Sequence, residues 1–216
     1  AAMIGVKIVL IETPPVKVEK SSELKLNKMV FVISFASFVH TLFINAYNTN
    51  IGIYILQNIT DDPSVTGVVT AVNAAFALLV GMFFGKISGF LKTYTLSFSI
   101  FATAAGYGVI LFVPGMAGVY IASALCGVSL SCFMAIGSYL ISISVEQEAV
   151  AKASGMFSII GGIGGLIAPI FLGKAAELLG ENSAKNQFEI SFVGMLIFGV
   201  IVLIASVKKE KKERNQ

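Results

Sequence analysis

From Met29 onward the chain is a near-continuous succession of apolar stretches, each about as long as a bilayer is thick. At 1.5 Å rise per residue, ~20 residues cross the ~30 Å hydrocarbon core. Six stretches are predicted as transmembrane helices, at 29–56, 64–85, 94–113, 117–144, 151–178 and 188–207. Short polar connections separate them. A soluble protein of buried helices is the alternative, and it fails on charge. Only 12% of residues are Asp, Glu, Lys or Arg, and Leu96–Val145 carries none, where ordinary soluble domains run near ~25%.

The cations then assign sides. With six crossings, Lys7, Lys17, Lys20, Lys25, Lys28, Lys86, Lys92, Lys152, Lys208, Lys209, Lys211, Lys212 and Arg214 fall on one side, and Lys174 and Lys185 on the other. Thirteen against two is the positive-inside pattern, which predicts a multi-pass protein of the cell membrane with both termini of this chain cytoplasmic. The sequence pI near 8.8 then reflects lysines facing anionic headgroups of the lipid bilayer. No basic patch is interleaved with aromatics, so nucleic acid is not an expected partner.

Three regions follow: 1–28, the 29–207 transmembrane domain, and a basic tail at 208–216. The first begins with apolar Ala1–Ile11, halted by Glu12-Thr13-Pro14-Pro15 and followed by a charged linker from Val16 to Lys28. Eleven residues are too few to span. They read either as an interfacial strip or as the end of a preceding transmembrane helix, which makes this chain part of a longer protein. Cys126 and Cys132 are six positions apart on one helix, ~9 Å along it and ~240° around it, so they cannot bridge each other. With no Cys/His cluster, no metal or other cofactor is expected.

In the first span Ser34, Ser37, Thr41, Asn45 and Asn48, with His40 at the edge, lie within about 140° of arc at 100° per residue. Only Asn50 departs. Bare amides in hydrocarbon cost several kcal/mol, so the stripe faces either other helices, as interhelical hydrogen-bonding glue, or a water-lined path. On the second reading Ser37, Thr41, Asn45 and Asn48 line a substrate cavity. Asn73, aligned with Thr66, Thr70, Ala77 and Gly81 in the second span, repeats the pattern weakly and joins them as a candidate. His40, the only histidine, is the candidate proton site, with a packing role as its alternative; no carboxylate sits mid-membrane. The fifth span is glycine-rich and carries Pro169, which leaves the Gly165 carbonyl without its helical donor. Gly161, Gly165 and Pro169 are therefore the candidate hinge, against a static kink. No nucleophile–base pair, P-loop, dinucleotide turn or H-E-x-x-H motif occurs, so no enzyme activity is expected.

Several motifs carry a resemblance. Gly81-Met-Phe-Phe-Gly85-Lys86-Ile-Ser-Gly89-Phe-Leu-Lys92 is similar to the G-x-x-x-D-R-x-G-R-R loop of the major facilitator superfamily. Gly85 and Lys86 fit its first positions. Gly89 stands in place of the Asp, and Thr93 and Tyr94 replace the paired arginines, so the gating salt-bridge role does not carry over. Pro169-Ile-Phe-Leu-Gly173-Lys-Ala-Ala-Glu177-Leu-Leu-Gly180 resembles the family's P-x-x-x-G-x-x-x-[DE]-x-x-G. Asn45-Ala-Tyr-Asn48-Thr-Asn50, followed by Ile-Gly-Ile-Tyr, resembles the start of the corresponding half in drug-efflux members. The likeness covers about residues 12–216 and implies the C-terminal six-helix half of such a transporter. It implies an all-α membrane fold of two inverted three-helix repeats, 29–113 and 117–207. It also implies a small-molecule substrate bound near the midplane against the missing N-terminal half, and alternating access. Polar-uncharged and aromatic cavity candidates, with no Trp, lean towards efflux of amphipathic organic compounds by an antiporter. A non-transporting membrane scaffold or assembly subunit is the alternative.

Overall fold

The computed structural model describes residues 27–214; the expectations for the region before Asn27 lie outside the described residues. Among the described residues there are six α-helices: α1 (Lys28–Asn58), α2 (Ser64–Leu91), α3 (Thr95–Phe112), α4 (Met116–Ser144), α5 (Val150–Glu177) and α6 (Ala184–Arg214). Short 3-10 turns, Lys92–Tyr94 and Gln147–Ala149, precede α3 and α5. By length and composition, five helical stretches are long and apolar enough to cross a membrane. The count differs from six because Ser64–Phe112 is one apolar stretch of 49 residues holding both α2 and α3.

Side-chain contacts give the helix directions. Asn73 and Gly81 of α2 meet Ser123 and Ser131 of α4, so α2 runs parallel to α4. Ser99 and Gly106 of α3 meet Ser129 and Cys126, so α3 runs antiparallel to it. The chain therefore reverses at Lys92–Tyr94, where Lys92 has φ 48°, a conformation rare for a residue with a Cβ. The same reasoning sets α1 parallel to α5 through Ser37–Gly161 and Asn45–Gly165, antiparallel to α4 through Asn27–Ser144 and His40–Ser129, and antiparallel to α6 through Phe43–Gly194 and Asn50–Gln187. All six helices alternate in direction. Lys28, Lys86, Lys92, Lys152 and the cations from Lys208 to Arg214 gather at one end, and Lys174 and Lys185 lie at the other.

Local chemistry fixes the ends. Asn27 caps α1 by accepting from the Met29 amide at 3.1 Å, while its own amide donates to the Ser144 carbonyl at the end of α4 (2.7 Å). The α3–α4 turn needs Gly115 at φ 79°, open to glycine without strain. Asp62 accepts from the Ser64 amide at the start of α2; the Ser64 side chain first, and that amide second, hold its carboxyl below the usual carboxylate range.

The interior forms two apolar clusters. One, near the lysine-bearing end, holds Val30, Ile33, Ile100, Phe133, Ile141, Phe157 and Met195. The other holds Tyr47, Ile51, Ile55, Tyr107, Leu172 and Phe188. The outside is as apolar as the inside: Leu166 is 79% and Met82 77% exposed, and α2 buries only Val69 and Val80. Such a surface suits lipid as solvent, since each helix satisfies its own backbone.

Candidate functional site

Three residues of the α1 stripe lie against the glycine face of α5. Ser37 is buried with its hydroxyl pressed on Gly161, and Thr41 sits over both Gly161 and Gly165. The Asn45 amide donates to the Gly165 carbonyl at 2.7 Å. That carbonyl is the one Pro169, four residues on, cannot serve. Two features read separately in the sequence, a polar stripe and a proline-broken rung, thus meet in one hydrogen bond. Gly164 makes the approach possible, because a Cβ there would collide with the Phe38 carbonyl. Pro169 itself is exposed, while Gly161 is buried.

Asn48 is placed differently. It is exposed, as is Thr49, and no hydrogen-bond partner for its side chain is found among the described residues. It turns outward from this bundle about ten residues before the end of α1, and a bare amide facing hydrocarbon there would require water or further protein. Asn73 lies at a second crossing, donating to the Ser123 carbonyl of α4 at 3.0 Å, with Gly127 packed beneath its backbone.

His40 turns towards α4. It is fully buried, stacks on Phe133 at 3.9 Å with an interplanar angle of 4°, and pairs through Nε2 with the Ser129 hydroxyl at 3.1 Å. Ser129 also contacts the Thr103 hydroxyl and donates to the Ser99 carbonyl at 2.6 Å. His40, Ser99, Thr103 and Ser129 thus form one buried set of polar contacts between α1, α3 and α4. Within it His40 Nδ1 has no hydrogen-bond partner among the described residues.

Two further polar contacts escape single-helix periodicity. Asn50, off the stripe, is buried and donates to Gln187 Oε1 of α6 at 2.8 Å. Tyr107 of α3 engages both ends of one rung of the α1 ladder: its hydroxyl donates to the Phe43 carbonyl at 2.6 Å and accepts from the Tyr47 amide at 3.0 Å. A hydroxyl set into an i to i−4 rung is a known cause of local helix bending. It falls beside Asn45, so α1 is loosened on one side where α5 is broken on the other. Among the described residues no group of three His, Cys, Asp or Glu is placed to hold a metal, and Cys126 and Cys132 are both free and buried.

A family model described as Major Facilitator Superfamily matches residues 33–216, which takes in α2 to α6 and all but the first turn or so of α1. The chain belongs to the major facilitator superfamily. No individual curated protein matches it. Membership in this superfamily and the apolar helices make it a multi-pass membrane protein of a transporter family. The superfamily motif resemblances at Gly85–Lys86 and Pro169–Gly180 now have places: the first closes α2 at the lysine-bearing end, and the second begins one turn past the Asn45–Gly165 contact.

Proposed function

We propose that this chain is one half of a secondary active transporter. It moves a small molecule by alternating access, with export of amphipathic organic compounds, by antiport, as the favoured direction. The observation that carries the reading is the Asn45–Gly165 bond, since it joins a polar face of α1 to a proline-interrupted, glycine-lined α5. Helices that keep a broken rung satisfied by a neighbour's side chain can bend at small energetic cost, which suits gating movements within a half as it rocks against its partner.

Six crossings are the favoured count. The Ser64–Phe112 stretch spans ~73 Å of helix at 1.5 Å per residue, more than twice the hydrocarbon core, and it doubles back on α4. With three crossings each, 29–113 and 117–207 would be repeats of opposite orientation. The reciprocal parallel pairings, α1 with α5 and α2 with α4, support that arrangement. The lysine distribution favours a cell-membrane protein with the lysine-bearing end cytoplasmic.

Asn48, exposed on α1, is the residue placed to meet substrate or the N-terminal half across a midplane cavity. Ser37, Thr41, Asn45 and Asn73 line that cavity only as α1–α5 and α2–α4 open. Gly161, Gly165 and Pro169 supply the bend, and His40 is the candidate proton site. The test uses the intact transporter in vesicles. Asn48→Leu should lower flux at least about tenfold with expression unchanged, as loss of a substrate hydrogen bond worth ~1.4 kcal/mol predicts. Unchanged flux, or loss of expression in parallel with flux, refutes a cavity role. A scaffold, the alternative, shows no flux in any variant.

A further inference from the structure

Between α1 and α6 lies a cleft of about 700 Å³ that the transport reading does not use. Its walls are apolar along most of their length, formed by Val32, Val39, Phe43, Ile136, Ile197 and Ile201. Polar groups occur at one end only: Lys92, Thr93, Ser206 and Lys209. From Gly194 to Lys209, both lining residues, α6 rises ~22 Å, against ~15 Å for one leaflet's hydrocarbon. The cleft is therefore long enough to hold an extended acyl chain of one leaflet, with two ammonium groups where that lipid's headgroup would lie.

The polar end is built rather than incidental. Lys92 adopts φ 48°, the one positive-φ residue other than glycine among the described residues. Strain of this kind persists only where surrounding structure holds it. The next-but-one residue, Tyr94, donates its hydroxyl to Glu210 of α6, which pins the strained turn beside Lys209. Charge and shape together select the occupant. A second copy would set lysines against lysines. A free anion would leave the apolar length bare. We propose that the cleft binds an anionic membrane phospholipid, one acyl chain lying between α1 and α6 and its phosphate held at Lys92 and Lys209.

The chain has no Trp, so in the intact transporter, with any tryptophan outside this chain replaced by Phe, one introduced Trp reports a single place. Ile197→Trp, on the cleft wall, is reconstituted into vesicles of brominated phosphatidylglycerol or brominated phosphatidylcholine, each diluted with its unbrominated form. Quenching should show about fivefold selectivity for phosphatidylglycerol, the scale expected of two interfacial lysines partly screened by salt. Ile159→Trp, at an exposed site of α5 outside the cleft, should show none. Selectivity at Ile197→Trp should vanish in Lys92→Gln/Lys209→Gln and survive in Lys208→Gln/Lys211→Gln. If the first pair fails to reconstitute, Ala205→Leu narrows the cleft with both lysines kept and should lower selectivity likewise. Deacylated glycerophosphoglycerol, the headgroup alone, should not relieve quenching. Several results overturn the proposal: no selectivity at Ile197→Trp, equal selectivity at Ile159→Trp, equal loss in the Lys208/Lys211 pair, selectivity untouched by narrowing, or displacement by the headgroup alone.

Discussion

Asn45→Ala removes the donor that serves the Gly165 carbonyl. Interhelical side-chain hydrogen bonds in membranes average only ~0.6 kcal/mol, with a maximum near ~1.7, because partners are usually replaceable. Here the acceptor has no substitute, since position 169 lacks an N–H. The loss should therefore sit at the upper end, about 1–2 kcal/mol, including the cost of a stranded carbonyl. For a chain of this size that is a fall in Tm of about 2–8 °C. Pro169→Ala supplies the missing N–H at an exposed position, so the carbonyl regains a donor within α5. In that background Asn45→Ala should cost less than about 0.5 kcal/mol, a non-additivity of about 1 kcal/mol. Thermal unfolding of the four purified proteins in one detergent measures it. Equal losses in the two backgrounds would refute the reasoning: Asn45 would then be a packing residue, and the proline-broken rung would be satisfied otherwise.

Four further outcomes are expected. Gly127→Ala and Gly164→Ala drive a Cβ into the carbonyls of Asn73 and Phe38 and should each cost about 1–3 kcal/mol in thermal unfolding, whereas Gly67→Ala and Gly155→Ala, with open space around them, should be neutral or gain up to ~1 kcal/mol. Tyr107→Phe keeps the ring against Phe188 but lets the Phe43–Tyr47 rung close on itself, so Tm should fall by no more than about 4 °C; a larger drop means the hydroxyl is structural to α1. The depressed Asp62 carboxyl contributes above its unfolded value and loses that contribution as pH falls through its folded one. Amide exchange at Ser64, corrected for intrinsic rate, should therefore quicken below about pH 4, and Asp62→Asn should abolish the pH step. A reporter active only in the cytoplasm should give signal when fused after Lys92 or Glu148 and none after Asp62 or Asn182; signal from Asp62 contradicts six crossings.

Sequence periodicity located every helix core, because length and hydropathy are properties of one segment at a time. It placed ends less well. The second span, expected to stop at 85, continues helically to Leu91, and the sixth extends from Ala184 to Arg214 rather than 188–207. Lys86 sits over the Phe83 ring, so a charged side chain can stay in helix by laying its stem along apolar surface. The site divides the same way. Both Asn45 and the orphaned Gly165 carbonyl were legible, one from its helical face and one from Pro169. Their pairing was not, since it depends on α1 running parallel to α5. Asn50 left the stripe because its partner is Gln187 on α6, and Tyr107 carried no signal, being one tyrosine in an apolar run whose target is another helix's backbone.

The parallel pairings also set a timetable. Asn45 precedes Gly165 by 120 residues, and Asn73 precedes Ser123 by 50. At ~5–20 residues per second of synthesis, the first amide waits roughly 6–24 s for its partner to leave the ribosome and the second roughly 3–10 s. Helices α1 and α2 thus enter the membrane with their polar groups unmatched, and α1 stays so until the fifth helix arrives. Among these helices α1 should depend longest on an insertase or another holding protein. Substitutions that shift the stripe should then lower yield by prolonging that dependence, even where the finished bundle tolerates them.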